Sequence, residues 1–433
     1  MRPAGPRHAI LRTMRSPWVR AGFAVLAVLA APAHADDAWV TPIDRAALQV
    51  AAFDEADRPY SVPARPRDIA GGLALSCEHA EGRPCGDGVG SYGELDSRAG
   101  YSDWLSGGTR LRARLGAGAY GTDLDVDRAH VDAHVRGFGF EVGRDVFALG
   151  PGAHTNVGWS DNAPPLDFAR ARYATSRGGL FYLVGRLRGP QTYPGTLVTI
   201  ARGEVRLGPV TLGGMQLLQL EGEGAPHLGP WAFVEEHVTR GDPSASPTDS
   251  SNRRVGLDAS WRITGFGGAR FYYELMFEDW RRQFVDALRY DADHVVGLEF
   301  PAVLFEWQKT GFRSMEHTPR ITGFTNAGRT VGSPLGPDAQ ALYVSLREHA
   351  ITPWAELARL ASDTYTYDFH QPIVRTSDGL AEFRIRVGVR GSRALSSHLR
   401  LDARALTETI FNIGFVHADR HGVGIELVLV WHP

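Results

Sequence analysis

Apolar and polar residues alternate one by one from about residue 109 to the C-terminus, and this period of two limits what the chain can fold into more than any other feature. Between Thr109 and Tyr120, Leu111, Ala113, Leu115, Ala117 and Ala119 fall on one face, and Arg110, Arg112, Arg114, Gly116 and Gly118 on the other. The same split separates Ala129, Val131, Ala133 and Val135 from His130, Asp132, His134 and Arg136. Near the C-terminus Phe383, Ile385, Val387 and Val389 alternate with Glu382, Arg384, Arg386 and Arg390, and then Leu399, Leu401, Ala403 and Ala405 with Arg400, Asp402 and Arg404. Successive side chains of a strand point to opposite sides, so these segments are two-faced strands.

A soluble β-sandwich with one face in water shows the same alternation. Three features favour a barrel in a membrane. The strand-like segments run on without a domain break, their polar faces are charged rather than Ser/Thr-rich, and aromatics gather at segment ends, at Phe138 and Phe140, Phe271-Tyr272-Tyr273, and Phe277 with Trp280. Apolar sides toward lipid, a polar lumen and aromatic girdles characterise outer-membrane barrels. Gly supplies 50 of the 433 residues, and each would cost a helix interior up to ~1 kcal/mol relative to Ala. The expected fold is all-β: a transmembrane antiparallel outer-membrane β-barrel over residues 61–433, with about 16–18 strands at roughly 20–24 residues per strand and connection. The last expected strand begins at Gly424 and carries Trp431 two residues before the C-terminus. Polar, Gly/Pro-rich stretches near 76–108, 150–176, 221–254, 312–338 and 362–380 read as long loops.

The N-terminus reads as an export signal over residues 1–35: five Arg, the apolar run Ala21 to Ala31, then Ala33-His34-Ala35 ahead of Asp36. A spanning helix needs about 20 apolar residues, roughly twice this run. Met14 with Arg15 offers an alternative start. Removing the five Arg takes the net charge from −3 to −8, which argues against a nucleic-acid partner. Thr41 as N-cap, Pro42 in the first turn and Asp44 open a short amphipathic helix that ends before Pro59, a periplasmic or plug segment within 36–60. Cys77 and Cys85, eight residues apart in an exported chain, are expected to form a small disulfide that staples a loop.

Two stretches go beyond pattern. The first is Gly143-Arg144, then Gly150-Pro151-Gly152, then Asn156-Val-Gly-Trp-Ser-Asp-Asn-Ala-Pro-Pro165; the second is Glu306-Trp307, His317, Gly323 and Gly328-Arg329-Thr-Val-Gly-Ser-Pro-Leu-Gly-Pro-Asp-Ala339. Together they resemble the paired blocks of the capsule assembly Wzi family, in the expected order and separation, with Asp161 standing where the family commonly has Asn. The resemblance implies an outer-membrane barrel with a helical periplasmic plug. It also implies a lectin-like, non-catalytic role in holding or organising extracellular polysaccharide at the cell surface. The alternative function on the same fold is a diffusion porin or substrate-specific channel.

A saccharide calls for planar hydrogen-bonding groups and an aromatic face on partly exposed loops. The candidates are Trp159, Asp161 and Asn162; Trp231 and His237; Trp280, Arg281 and Arg282; and His317 with Arg320. For each Trp the competing assignment is a membrane-interface girdle, and for the Gly-Pro-Gly and Asn-Ala-Pro-Pro elements it is turn chemistry that folds a loop inward. The Arg faces, Arg110, Arg112 and Arg114 and then Arg384, Arg386 and Arg390, would line the lumen, either steering an acidic polymer or pairing with Glu382, Asp402, Glu274 and Asp132. There is no Gly-x-Ser-x-Gly elbow and no His-Glu-x-x-His helix, so catalysis is not expected. No cofactor or metal is expected either; His79, His130 and His134 come nearest to a metal cluster and read as lumen lining. The expected partners are extracellular polysaccharide, outer-membrane lipid and the barrel assembly machinery, with the protein a monomer.

Overall fold

A computed structural model describes residues 65–75, 89–102, 104–116, 123–160, 162, 164–225, 227, 251–264, 267–278, 284–315, 320, 322–347, 351–366 and 372–431. The signal 1–35, the helix expected within 36–60, and Cys77 and Cys85 lie outside them.

The chain runs through β1 (Arg65–Leu75), β2 (Val89–Ser102), β3 (Leu105–Gly116), β4 (Asp123–Val135), β5 (Phe138–Asp145) and β6 (Leu166–Thr175). It continues with β7 (Gly178–Arg186), β8 (Leu197–Leu207), β9 (Val210–Leu220), β10 (Asn252–Ile263) and β11 (Ala269–Phe277). After a short helical turn, α1 (Phe284–Asp286), come β12 (Asp293–Glu299), β13 (Val303–Lys309) and the small hairpin β14 (Thr325–Asn326) and β15 (Arg329–Thr330). Next are β16 (Ala339–Leu346), β17 (Ile351–Leu360), a second hairpin β18 (Thr364–Thr366) and β19 (Val374–Ser377), then β20 (Glu382–Ala394), β21 (Leu399–Phe411) and β22 (Arg420–Trp431).

All but the two hairpins form one 18-stranded antiparallel sheet, and β22 pairs with β1 from Ile69↔Trp431 to Leu75↔Ile425, which closes it. Closure removes the edge strands, the requirement for a sheet in hydrocarbon. The strand count is the upper value that the length suggested.

The alternation places residues as expected. On β20, Phe383, Ile385 and Val387 face out while Glu382, Arg384 and Arg386 are buried within the barrel. Val131, Val135, Phe140, Val142, Leu180, Val205 and Leu257 belong to the same outward apolar belt. Outward aromatics collect near both ends of the strands: Trp104, Phe138, Phe140, Trp261, Phe271, Phe305 and Trp431 toward one, Phe284, Phe383 and Phe411 toward the other. Two of the residues grouped with the girdle in the sequence, Tyr272 and Phe277, are instead buried: Tyr272 has the inward parity of its strand, and Phe277 packs against Ala287 and Ala292 of the following loop.

Connections divide by length. The turns at 136–137, 176–177 and 208–209 are two residues each, and those at 264–268, 300–302 and 395–398 lie at the same end. The opposite end carries 146–165, 187–196, 221–251, 278–292, 310–338 and 361–381. Outer-membrane barrels keep short turns in the periplasm and long loops outside. The turn at 136–137 uses Arg136 at φ 47° and Gly137 at φ 83°, the two left-handed residues of a twist-matched hairpin. Two expected loops are shorter than read: 76–108 contains β2 and most of β3's first half, and 150–176 contains β6.

Candidate functional site

Two of the long loops fold back into the lumen and meet. The 146–165 loop buries Phe147, Leu149, Val157 and Trp159, and the 310–338 loop buries Met315, Phe324 and Val331. These join one hydrophobic cluster with inward residues of the wall from Phe168 and Phe181 round to Tyr343 and Trp354. Within it Trp159 stacks on Phe147 with ring centroids 5.1 Å apart. Hydrogen bonds tie the loops together: Ser160 N donates to Val331 O at 2.6 Å, and Ser160 Oγ to Gly332 O at 2.5 Å. Asn162 Nδ2 donates to Thr330 O at 2.9 Å, and Asn326 Nδ2 to Pro164 O at 2.8 Å. The two sequence blocks that stand out, around 156–165 and 328–339, are therefore each other's partners.

The wall holds this plug by carboxylates that accept from its backbone. Glu306 on β13 takes the amides of Ala153, His154 and Thr155 at 2.9, 3.0 and 2.8 Å, and also the Tyr272 hydroxyl. Glu274 on β11 takes Gly158 N at 2.8 Å and Val157 N at 3.2 Å. Glu278 takes Met315 N at 2.5 Å, and Asp293 takes Gly311 N at 2.7 Å and Ser314 Oγ at 2.6 Å. Buried amides need acceptors, and each carboxyl group offers two oxygens to supply them. Arg254, fully buried, balances the local charge through Glu278 at 2.6 Å and a contact with Asp293.

Sheet register explains how these groups converge. Tyr272, Gly297, Glu306, Tyr343, Glu356, Arg386 and Glu408 are successive partners across adjacent strands, a hoop of inward positions across seven of the eighteen strands. Gly297 leaves room for the Tyr272 ring, since a Cβ there would lie 1.9 Å from Tyr272 Cζ. His154 of the plug stacks on Tyr343 at 3.5 Å and bonds Glu356 through Nε2 at 3.2 Å. Arg386 joins Glu408 at 2.6 Å to Glu356 at 3.3 Å, and Arg384 binds Glu382 at 2.5 Å. The inward Arg face of β20 is thus paired within the wall. Arg110 is buried on β3, where Arg112 and Arg114 occupy the alternate positions opposite Glu94 and Tyr92; Arg390, toward the short-turn half of β20, is half-buried.

The residues selected from sequence as sugar contacts do not assemble into one site among the described residues. Trp159 is 2% exposed and Arg320 1%, and Asn162 is buried. Arg320 donates to Thr196 Oγ1 and Glu221 O, both at 2.8 Å, and lies over the Tyr193 ring, stapling three loops. Asp161, Trp231, His237, Trp280, Arg281, Arg282 and His317 lie outside the described residues.

A different cluster stands at the long-loop end. Tyr290 from the 278–292 loop, Phe312 from the 310–338 loop and Tyr365 from β18 are all partly exposed. Tyr365 stacks on Phe312 at 4.5 Å and meets Tyr290 edge-on at 5.9 Å. Planar polar groups ring them. Arg313, over Phe312, grips Asp291 with two bonds of 3.2 and 3.1 Å, and Arg289 lies over Tyr290. Tyr365 donates to Asp338 at 3.2 Å, and Arg375 pairs with Asp363 at 2.9 Å and Asp378 at 2.5 Å. Burial, with the neighbouring Asp363 charge, raises the Asp338 carboxyl above its ordinary value, and burial beside both carboxylates raises the Tyr365 phenol. Nothing in the sequence marks these three rings, which come from separate loops.

No curated protein sequence matches this chain. Among solved structures it is similar to Wzi of Escherichia coli, described as an outer-membrane, carbohydrate-binding β-barrel involved in group 1 capsule assembly: TM-score 0.62, 14% identity, covering 96% of this chain and 92% of that one. It is also similar to OccD3 (OpdP) of Pseudomonas aeruginosa, with TM-score 0.52, 10% identity, and coverage of 89% and 97%. At these identities the likeness shows the barrel fold. The family profile for capsule assembly protein Wzi matches residues 73–351, well over half of the chain and both sequence blocks, and the chain belongs to that family.

Proposed function

We propose that this protein binds and organises capsular or other extracellular polysaccharide at the outer face of the outer membrane, without catalysis and without a conducting pore. The observation that carries the reading is the rim cluster of Tyr290, Phe312 and Tyr365, framed by Arg289, Arg313, Arg375, Asp338 and Asp363. Aromatic faces suit the C–H side of a pyranose, and fixed carboxylate and guanidinium groups suit its hydroxyls. Membership of the capsule assembly family and the carbohydrate-binding description of the Escherichia coli barrel support the same function. A lumen occupied by a plug held on backbone amides argues for a static platform. The barrel acts as a monomer in outer-membrane lipid after insertion by the barrel assembly machinery.

The test is a deletion strain. Loss of retained surface polysaccharide, restored by the wild-type gene, is the expected result, and unchanged retention contradicts the proposal. Purified protein in planar bilayers is expected to show no stable open conductance. A steady open channel would instead assign the fold to a porin.

A further inference from the structure

On the lumen wall, β4 and β5 bring together a group that the plug touches only where Asp145 accepts from Val146 N. His130 and Asp132 lie inward on β4, and Glu141 and Asp145 inward on β5, with Asp132↔Glu141 and His130↔Gly143 in direct register. Like charges placed opposite one another across strands destabilise a sheet unless something neutralises them. Ligand atoms of His130, Glu141 and Asp145 all lie within 4.8 Å of one another. Burial is deep: the side chains of His130, Glu141 and Asp145 are 10%, 3% and 9% exposed.

The hydrogen bonding singles out one open coordination site. His130 Nε2 is 3.1 Å from Asp132, while His130 Nδ1 is buried with no hydrogen-bond partner. Asp145 Oδ1 is taken by Arg128 Nε at 2.9 Å and Val146 N at 2.8 Å, which leaves Oδ2 facing His130 Nδ1 at 3.9 Å. Both Glu141 oxygens are buried; Asp132 faces them across the strands and Arg170 lies against Glu141 as an ion pair, so the cluster holds more carboxylate than Arg170 alone offsets. Gly143 sits opposite His130 at φ 146°, where a Cβ would lie 2.1 Å from Ala129 O and 2.6 Å from His130 Cα, so β4 and β5 approach this closely beside His130 only because this residue has no side chain.

We infer that His130 Nδ1, Glu141 and Asp145 form a binding site for a divalent zinc-type ion, with Asp132 as the positioning carboxylate behind the imidazole. An imidazole whose far nitrogen donates to a carboxylate is the common arrangement of a metal-bound histidine. The nitrogen donor selects a transition ion over calcium or magnesium, and two carboxylates with a water complete four-coordination. With bonds of about 2.1 Å, a tetrahedral ion spaces its ligands about 3.4 Å apart, so side-chain rotations of about 1 Å close the site. The ion would cross-link β4 and β5 and offset the opposed carboxylates. The inference stands independently of polysaccharide binding.

The test uses the full-length protein, folded in detergent and stripped with a chelator, titrated with Zn²⁺ by calorimetry and with Co²⁺ by visible absorption. One equivalent is expected to bind with the Co²⁺ bands of a four-coordinate site, while Ca²⁺ and Mg²⁺ give no heat. His130→Ala and Glu141→Gln are expected to lose that equivalent, and Asp132→Asn to weaken it about tenfold. Heat-modifiable gel mobility establishes that each variant is folded. Wild-type protein without the Co²⁺ bands overturns the inference whatever the variants do. So does a Zn²⁺ equivalent that persists unchanged in folded His130→Ala or Glu141→Gln, which would place the ion on the exposed histidines His398, His417 and His421.

Discussion

The interior plug and the exposed rim use the same residue types to opposite ends. Both gather aromatics, Arg and carboxylates from loops distant in sequence. In the plug the polar groups turn mainly to the protein: Glu306 takes three amides and a phenol, Asn162 and Asn326 cap the facing loop, and Trp159 stacks on Phe147. At the rim the rings touch one another on one side and solvent on the other. Burial decides what the chemistry does. A saturated tryptophan is packing, whereas a half-exposed tyrosine beside fixed charges is a surface for a ligand.

The largest effects are expected in the plug. Glu306→Ala leaves the buried Thr155 amide and the partly buried Ala153 and His154 amides without their acceptor, and at about 1–3 kcal/mol for a buried orphaned donor it should release the segment around His154 at a cost of about 2–4 kcal/mol. Urea unfolding of the detergent-folded barrel measures the loss, and bilayer recordings should detect a conductance the wild type lacks. Trp159→Ala is expected to cost about 3–5 kcal/mol through its cavity. Polysaccharide affinity measured below its unfolding transition should stay within twofold of wild type. A marked fall in affinity would move Trp159 from the packing group to the binding group.

The rim predicts the converse. Tyr365→Ala should weaken polysaccharide binding about tenfold, the share of one stacking face at about 1–1.5 kcal/mol, while barrel unfolding is unchanged. The smallest expected effect concerns pH. Asp338 has its folded value raised, so the protonated carboxyl is the form the docked β18–β19 hairpin prefers. Its contribution is full below the ordinary carboxylate value near 3.9 and fades as pH rises through the raised one. Asp338→Asn should abolish this drift in hairpin protection, read by hydrogen exchange corrected for intrinsic rates.

The strand pattern carries over from sequence to structure because alternation is a local property, and the parity of Phe383, Arg384, Ile385 and Arg386 needs no knowledge of neighbours. The hoop from Tyr272 to Glu408 is different. Each member is an inward residue by parity, but which strand it faces depends on register, and register is set by turns and bulges. β2 reads as loop in the sequence because Ser, Gly and charged residues dominate it, and only pairing with β1 and β3 makes it a strand. The paired blocks stand out in the sequence by their turn residues, the chemistry that folds a loop inward. Tyr290, Phe312 and Tyr365 were not legible, because three loops 75 residues apart at the extremes share no spacing until the barrel closes.

The most direct test of the division between plug and rim is equilibrium binding of purified surface polysaccharide to folded wild-type protein, to Trp159→Phe, and to Tyr290→Ala/Phe312→Ala/Tyr365→Ala. The account predicts wild-type affinity for the first variant and no measurable binding for the triple variant. Full affinity in the folded triple variant would contradict it.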